Sequence, residues 1–143
     1  MRRIFLQKPS FCLFNNNKSL SSRVVGGESF GLYGIDSPEK KQLCINKWGK
    51  NYSCGTKSTE YLKKLIGRRK LSCINRGIGK YGRFLFECTN GQGVNINEQM
   101  VKDGWAVAEY SKDYIENEKT AKIEKVGMWK GEFKRPKDWR KNN

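Results

Sequence analysis

The sequence predicts an α+β domain built on a small antiparallel sheet or barrel. Strand patterns come first, a helix follows, two strands surround a central turn, and two helices come last. The chain has 143 residues, of which 36% are hydrophobic and 12% aromatic. This is enough apolar material for one modest core, and the length favours a single domain.

Strands are predicted where apolar residues alternate and turn residues interrupt the alternation. A Gly26-Gly27 turn before the alternating residues 30–35 predicts a hairpin. Pro38 ends that strand because it lacks a backbone N–H. Residues 70–75 and 83–89 predict two further strands on either side of a turn.

Three helices are predicted from apolar spacing and from glycines that follow it. The first begins at residue 56 or 58 and ends at 66, the second runs from 95 or 97 to 103, and the third covers 113–126. Trp105, Trp129 and Trp139 are expected to fill the core or to anchor loops.

Residues 1–22 differ in character from residues 23–143. The first segment has four basic residues, no acidic one and a polar stretch around Asn15-Asn16-Asn17. We expect a divergent segment, poorly ordered or an altered first strand, followed by the folded domain. The apolar residues near Met1 are interrupted too often for a convincing signal peptide, and no run approaches the ~20 apolar residues of a membrane span.

The charge balance indicates a polyanionic partner. The chain has 29 Lys+Arg and 14 Asp+Glu, a net charge of +15, and it contains no histidine. Without an imidazole, Ser-His-Asp and Cys-His nucleophiles and His-ligated metals are excluded. Lysine and arginine bind phosphates without reading sequence, although a basic but otherwise ordinary domain is the alternative. A general electrostatic surface is expected to include the C-terminal cations Lys134, Arg135, Lys137, Arg140 and Lys141.

The five cysteines predict two disulfides. Cys73 and Cys88 flank the central turn, so a hairpin there would bring their thiols together. Cys44 and Cys54 bracket a loop that a disulfide could staple, and Cys12 is left over. Two bridges favour an oxidising compartment. One alternative is that the cysteines are reduced thiols of a cytosolic protein. A four-cysteine zinc site is a less favoured alternative.

Two short stretches carry side chains suited to phosphate chemistry. Asp36 and Glu39 lie three residues apart in a turn fixed by proline, where one carboxylate can bind a divalent cation and the other can take a proton from water. The turn Lys80-Tyr81-Gly82-Arg83 presents an arginine, whose planar fork of donors suits a phosphate. Each stretch alone is weak evidence, since turn residues and solvated charges are common.

Taken together with their surroundings, these stretches resemble the staphylococcal nuclease-like (thermonuclease) family. The segments that carry the resemblance occur in the family's order and spacing over residues 24–140, and its tail is similar to the secreted bacterial branch. They are LYGIDSPE at 32–39, KYGR at 80–83, VNINEQMVKDGWA at 94–106, YSKDY at 110–114, GMW at 127–129, GEF at 131–133 and PKDWR at 136–140.

The resemblance implies an OB-like five-stranded barrel with three helices and Ca²⁺-dependent cleavage of DNA or RNA. By motif, Asp36 would be a metal ligand, Ser37 would lend its backbone carbonyl, and Glu39 would activate or position the attacking water. Arg83 would stabilise charge on the phosphoryl and leaving oxygens. Lys80, Tyr81 and Tyr110 would contact the nucleic acid, and the branch's disulfides match Cys44 with Cys54 and Cys73 with Cys88.

The sequence departs from the family pattern at two active-site positions. Gly31 stands where the family carries an arginine, and no aspartate precedes Asp36, so the upstream metal-binding aspartate is missing. Loss of one preorganised donor costs about 10²–10³ in rate, and loss of a carboxylate weakens a Ca²⁺ site. We therefore expect an impaired nuclease. Residues that could compensate are Arg23, Lys40, Lys41 and Arg76 for the charge and Glu28 for the carboxylate.

Two functions from different classes follow from the sequence. One is a Ca²⁺-dependent nuclease of low activity, and the other is an OB-type module that binds nucleic acid, preferably single-stranded, without cutting it. Aromatic residues such as Trp48 are candidates for base stacking. A monomer in a secreted or periplasmic location is expected, and a cytoplasmic location is the alternative.

Overall fold

The structure is a computed structural model that describes residues 5–7, 13–16, 18–20, 29–80 and 82–143. The expected boundary at residue 23 and the Gly26-Gly27 turn lie outside the described residues. The strands are β1 (Phe5–Gln7), β2 (Leu13–Asn16), β3 (Lys18–Leu20), β4 (Ser29–Leu32), β5 (Ile35–Asp36), β6 (Cys44–Ile45), β7 (Asn51–Tyr52), β8 (Ser72–Ile78), β9 (Phe84–Thr89) and β10 (Val107–Ala108). The helices are α1 (Cys54–Ile66), α2 (Ile96–Lys102), α3 (Ile115–Glu124) and α4 (Pro136–Lys141).

The main sheet has six strands in the order β1-β4-β9-β8-β2-β3. The central pair β8 and β9 is antiparallel, as predicted, but β4 runs parallel to β9 and β2 runs parallel to β8. The expectation of a purely antiparallel sheet is therefore wrong, because residue alternation fixes which side chains are buried and not the direction of the neighbouring strand. Among the described residues, the strands do not form a closed barrel.

The helices agree with the sequence pattern best where a cap fixes their ends. Helix α2 occupies the predicted place, and the Asn95 side chain accepts a hydrogen bond from the backbone N–H of Glu98. Helix α1 begins at Cys54, slightly before the predicted start. Helix α3 is shorter than predicted, because Lys125 adopts a left-handed φ of 52° at its end.

The C-terminal helix α4 is absent from the sequence prediction. It is six residues long and begins with Pro136, whose fixed φ suits the first helical position. A helix this short shows less than two turns of periodicity, so the apolar spacing does not reveal it. The predicted number of three helices was therefore wrong. None of the helices in the described part of the chain is long and apolar enough to cross a membrane.

Asn97 joins helix α2 to the sheet and to the strand that leads to Asp36. Its buried side chain donates to the backbone carbonyls of Tyr33 at 2.9 Å and Phe86 at 3.0 Å, and accepts from the N–H of Cys88 at 3.0 Å. These bonds satisfy backbone groups in the core, where an unpaired polar group costs about 1–3 kcal/mol. The helix is thereby fixed in register against β9.

The two predicted disulfides are present. Cys44 pairs with Cys54 and Cys73 with Cys88, with Cα to Cα distances of 5.6 Å and 4.1 Å. Cys73 and Cys88 are direct partners across β8 and β9, as the hairpin prediction required. Cys12 lies outside the described residues.

We expect the double variant Cys73→Ala/Cys88→Ala to lose about 3 kcal/mol in the free energy of unfolding. The bridge spans 15 residues, and a loop of this length constrains the unfolded chain by about that amount. Urea unfolding of the oxidised protein and of the variant measures the difference. Equal unfolding free energies would contradict a stabilising role for this disulfide.

Candidate active site

The site begins at the fully buried Asp36, at the end of β5. Strand β5 pairs with β10, and Asp36 lies opposite Val107 in that pair. Pro38, two residues after the carboxylate, is also buried and prevents the strand from continuing. The strand pair therefore fixes the aspartate, and the turn that follows brings Glu39 back to the same place.

Gln42 holds this turn in shape. The buried side chain of Gln42 accepts a hydrogen bond from the backbone N–H of Glu39 at 3.2 Å. The backbone N–H of Gln42 donates to the backbone carbonyl of Glu39 at 2.8 Å. The side-chain amide of Gln42 also donates to the carbonyl of Lys134 at 2.8 Å. One amide side chain thus ties the carboxylate turn to the C-terminal segment.

Arg140 contacts both carboxylates. Its Nη2 lies 2.7 Å from Oδ2 of Asp36, and its Nη1 lies 3.2 Å from Oδ1 of Asp36 and 3.2 Å from Oε1 of Glu39. The Arg140 side chain is only 15% exposed. The expectation that Arg140 belongs to a general electrostatic surface is therefore wrong: it is the counterion of the two acids.

The segment that carries Arg140 is anchored before it reaches the site. Ile45 and Glu132 exchange backbone hydrogen bonds of 2.8 and 2.9 Å. The Arg135 guanidinium donates to Glu109 at 2.8 Å and to Glu118 at 2.9 Å. These contacts fix the start of α4 and so place Arg140 over Asp36.

Burial raises the pKa of Asp36 from 3.8 to about 6, and the hydrogen bonds and charge of Arg140 limit this rise. The charges of Glu109 and Glu39 raise the pKa of Asp36 further. Burial lowers the pKa of Arg140, but the hydrogen bonds and charge of Asp36, with smaller contributions from Glu39 and Tyr110, together raise the pKa above its ordinary value. Arg140 therefore remains a cation, and the buried carboxyl of Asp36 is the group that titrates.

A basic cleft of about 740 Å³ opens beside this cluster. Tyr110 enters it with a left-handed φ of 65° and places its hydroxyl 3.5 Å from Nη2 of Arg140. Such strained backbone is typical of functional sites. Trp139, which was expected to fill the core or to anchor a loop, is half-buried and also lines the cleft. The lining consists of Glu39, Lys80, Tyr110, Lys137, Trp139, Arg140, Lys141 and Asn143.

The cleft brings together several of the residues expected from sequence. Glu39, Lys80 and Tyr110 line it, and Asp36 lies behind Arg140. Ser37 is half-buried in the turn. Arg83 is exposed at the start of the β9 hairpin arm and is not one of the lining residues.

The proposed substitutes for the missing groups do not join the cluster in the described part of the chain. Arg76 pairs instead with Glu87 at 3.1 Å, and Lys40 and Lys41 are exposed. Tyr81, Arg23 and Glu28 lie outside the described residues. The cation that sequence reasoning missed is Arg140, and its only sequence signal is the PKDWR tail motif.

The described residues do not fit a Ca²⁺ ion as they are arranged. Ca²⁺ takes six to eight oxygen ligands, whereas both oxygens of Asp36 and one of Glu39 already accept from Arg140. Within the described ranges, no group of three or more acidic, cysteine or histidine side chains could hold a metal. A guanidinium lies where a cation shared by the two carboxylates would have to bind.

The mixed sheet, the four helices and the acidic turn beside a basic cleft define an α+β domain with a site suited to an anionic partner. The model of the family described as "Staphylococcal nuclease homologue" matches residues 29–131. The chain belongs to this family, as its motifs indicated. Family membership confirms the OB-like α+β class that the resemblance implied, although the described strands do not close a barrel.

Named relatives share about a third of the aligned residues. The chain is 30% identical over 112 residues to the "Succinoglycan biosynthesis protein ExoI" of Rhizobium meliloti (strain 1021), covering 76% of this chain and 59% of the relative. It is 31% identical over 104 residues to an "Uncharacterized endonuclease" of Escherichia coli O157:H7, covering 68% and 60%. The matches thus span about three fifths of the length of these relatives.

We expect the contribution of Asp36 to the free energy of unfolding to fall as the pH rises from about 4 to about 6. Its folded pKa of about 6 lies above the ordinary 3.8, so the folded state binds this proton more tightly. The contribution is present at low pH, is lost as the pH rises through the folded pKa, and is on the order of 3 kcal/mol.

Urea unfolding at several pH values, in the presence of a chelator, tests this dependence against Asp36→Asn. The variant lacks the titrating group but keeps all others, so the difference between the two pH profiles isolates Asp36. Parallel profiles would show that this carboxyl does not change its proton affinity on folding.

Proposed function

We propose that this chain acts on nucleic acids as a phosphodiesterase of low activity. The observation that carries the proposal is that Glu39, a half-buried carboxylate held in a fixed turn, faces a cleft lined by four cations and two aromatic side chains. Membership of the nuclease family and a relative named as an endonuclease support it.

Binding is the step for which the cleft is best equipped. Lys80 and Lys141 are exposed at its rim, and lysines in such positions attract phosphates by counterion release. Tyr110 and Trp139 offer rings on which unpaired bases can stack. We therefore propose single-stranded DNA or RNA as the preferred partner, bound by a monomer.

Cleavage requires a base for the attacking water and positive charge for the phosphoryl oxygens. Glu39 is the candidate base, since its carboxylate lies at the cleft and Gln42 fixes its backbone. Lys80 and, by family motif, Arg83 are candidates for charge stabilisation. The family's arginine is replaced by Gly31, which removes a further donor, and Arg140 already occupies Oε1 of Glu39 at 3.2 Å, so we expect slow turnover.

A second candidate function is a binding module that no longer cuts. It is favoured by the contact of 3.2 Å between Arg140 and Glu39, because a carboxylate oxygen that accepts from a guanidinium is less available to hold an attacking water. The disulfides are consistent with an extracellular or periplasmic location, and we propose that the chain works there.

Glu39→Gln is expected to reduce cleavage of a fluorescent single-stranded oligonucleotide by about 10²- to 10⁴-fold, the usual contribution of a general base. Gel analysis with excess Ca²⁺ and with a chelator measures it. The matched control is Glu60→Gln, an exposed acid on α1, which should leave cleavage unchanged. Cleavage that is equally fast in the Glu39 and Glu60 variants would exclude the proposed base, and binding without cleavage in the unmodified chain would establish the binding module.

Lys80→Gln/Lys141→Gln is expected to weaken oligonucleotide binding and to flatten its salt dependence. Each lost phosphate contact lowers the slope of log K against log salt by about 0.7 for single strands, so two lower it by about 1.4. Fluorescence anisotropy over a salt series measures the slope. The control Lys63→Gln/Lys64→Gln removes the same charge from exposed positions on α1, and an equal loss of slope there would exclude the cleft as the binding site.

A further inference from the structure

Arg140 satisfies the two carboxylates of the site more completely than a surface ion pair would. It makes a bidentate pair with Asp36 and a further contact with Glu39, all at 3.2 Å or less. Asp36 is fully buried and has no access to bulk water. A guanidinium in this place therefore supplies the positive charge that a buried carboxylate requires.

The position of Arg140 is built into the fold. Three separate attachments precede it along the chain: the Ile45 to Glu132 bridge, the Gln42 bond to Lys134, and the Arg135 contacts with Glu109 and Glu118. Glu109, the next acid in the surroundings, is itself paired with Arg135 and Lys137. The described surroundings thus offer no third carboxylate to compensate for a divalent ion.

We propose that Arg140 is the resident cation of this site and that it excludes Ca²⁺ from Asp36 and Glu39. A Ca²⁺ ion could bind both carboxylates only by displacing a largely buried guanidinium, which would then lack its partners. The inference rests on the proposed function for the identity of the site, but it concerns cation binding and does not depend on turnover.

Isothermal titration of Ca²⁺ into the metal-free protein tests the exclusion without any nucleic acid. We expect no saturable Ca²⁺ binding by the unmodified chain. Arg140→Gln should bind Ca²⁺ saturably, with a Kd at least tenfold below the highest Ca²⁺ concentration at which the unmodified chain shows none, and its melting temperature should rise with Ca²⁺. Adding Glu39→Gln to that variant should abolish both effects. Arg68→Gln, an exposed arginine after α1, is the matched control and should behave like the unmodified chain.

Tight Ca²⁺ binding by the unmodified chain would overturn the proposal, whether or not the variants fold. Failure of folded Arg140→Gln to bind Ca²⁺ better than the unmodified chain would also overturn it, since Arg140 would not be the excluding group. Arg140→Lys keeps the charge and serves if the glutamine variant does not fold: it should bind Ca²⁺ no better than the unmodified chain. Because none of these readouts involves cleavage, they are independent of the experiments on Glu39.

The loop between β6 and β7 presents an exposed tryptophan, and hydrogen bonds and a disulfide support this loop. Trp48 is 72% exposed, and Lys47 places its Nζ 4.6 Å from the ring. The Asn46 side chain accepts from the N–H groups of Trp48 and Lys50, both at 3.0 Å. The Cys44–Cys54 disulfide closes the base of the loop.

We infer that this Trp48 loop is a second contact site for single-stranded nucleic acid, outside the cleft. An exposed aromatic ring next to two lysines combines a stacking surface with phosphate-binding charge, and a chain of net charge +15 favours an anionic occupant. Trp48 does not belong to the cleft lining. The inference rests on the proposed function only for the class of partner.

Trp48→Ala should weaken binding of a long oligothymidylate about five- to fiftyfold, and Trp48→Phe should retain most of the affinity, because any aromatic ring can stack with a base. Anisotropy at fixed salt measures both. Ile123→Ala removes another exposed apolar side chain, 80% exposed on α3, and should have no effect. A short oligothymidylate that fills only the cleft should not distinguish Trp48→Ala from the unmodified chain.

Unchanged affinity of Trp48→Ala for the long oligonucleotide would overturn this inference. So would a variant that loses binding to anionic phospholipid vesicles while it binds DNA normally, since the loop would then be a membrane contact. Weakened binding in Lys80→Gln/Lys141→Gln with normal binding in Trp48→Ala would leave the cleft proposal intact and remove only the second site.

Discussion

The buried carboxylate of Asp36 is the constraint on which the arrangement of the site depends. An ionised group in the interior is costly unless it is paired and hydrogen-bonded, and Asp36 is fully buried at a strand end. Its partner is Arg140 from the last helix. The C-terminal segment must therefore end beside β5, and the contacts of Gln42 and Arg135 hold it there.

This pairing separates two properties that a nuclease needs together. The chain retains the positive charge that attracts a polyanion, since lysines and aromatic rings line the cleft. The carboxylates that would hold a metal or activate water are partly neutralised by an internal guanidinium. The site is therefore better equipped to bind a polyanion than to cleave one, since its lysines are exposed at the cleft while its carboxylates are paired with Arg140.

Local features of the site were accessible from the sequence. Asp36 and Glu39 come together because only Ser37 and Pro38 separate them, so the turn itself sets their distance. The Cys73 to Cys88 bridge follows from a hairpin whose turn is visible in the sequence. Helix α2 was placed correctly because its capping asparagine is a local signal. The parallel pairing of β4 with β9 was not predictable, since alternation carries no information on strand direction.

The sequence by itself determined the class of fold, the disulfide pairs, the basic character and the two acids, because each depends on residues close together in the chain or on composition. Only the tertiary structure decided what neutralises those acids. Arg140 is 104 residues from Asp36 and looks like one more cation in a basic tail. Its role arises because the fold brings this tail beside a buried carboxylate, and the low-dielectric interior strengthens the attraction between the two charges.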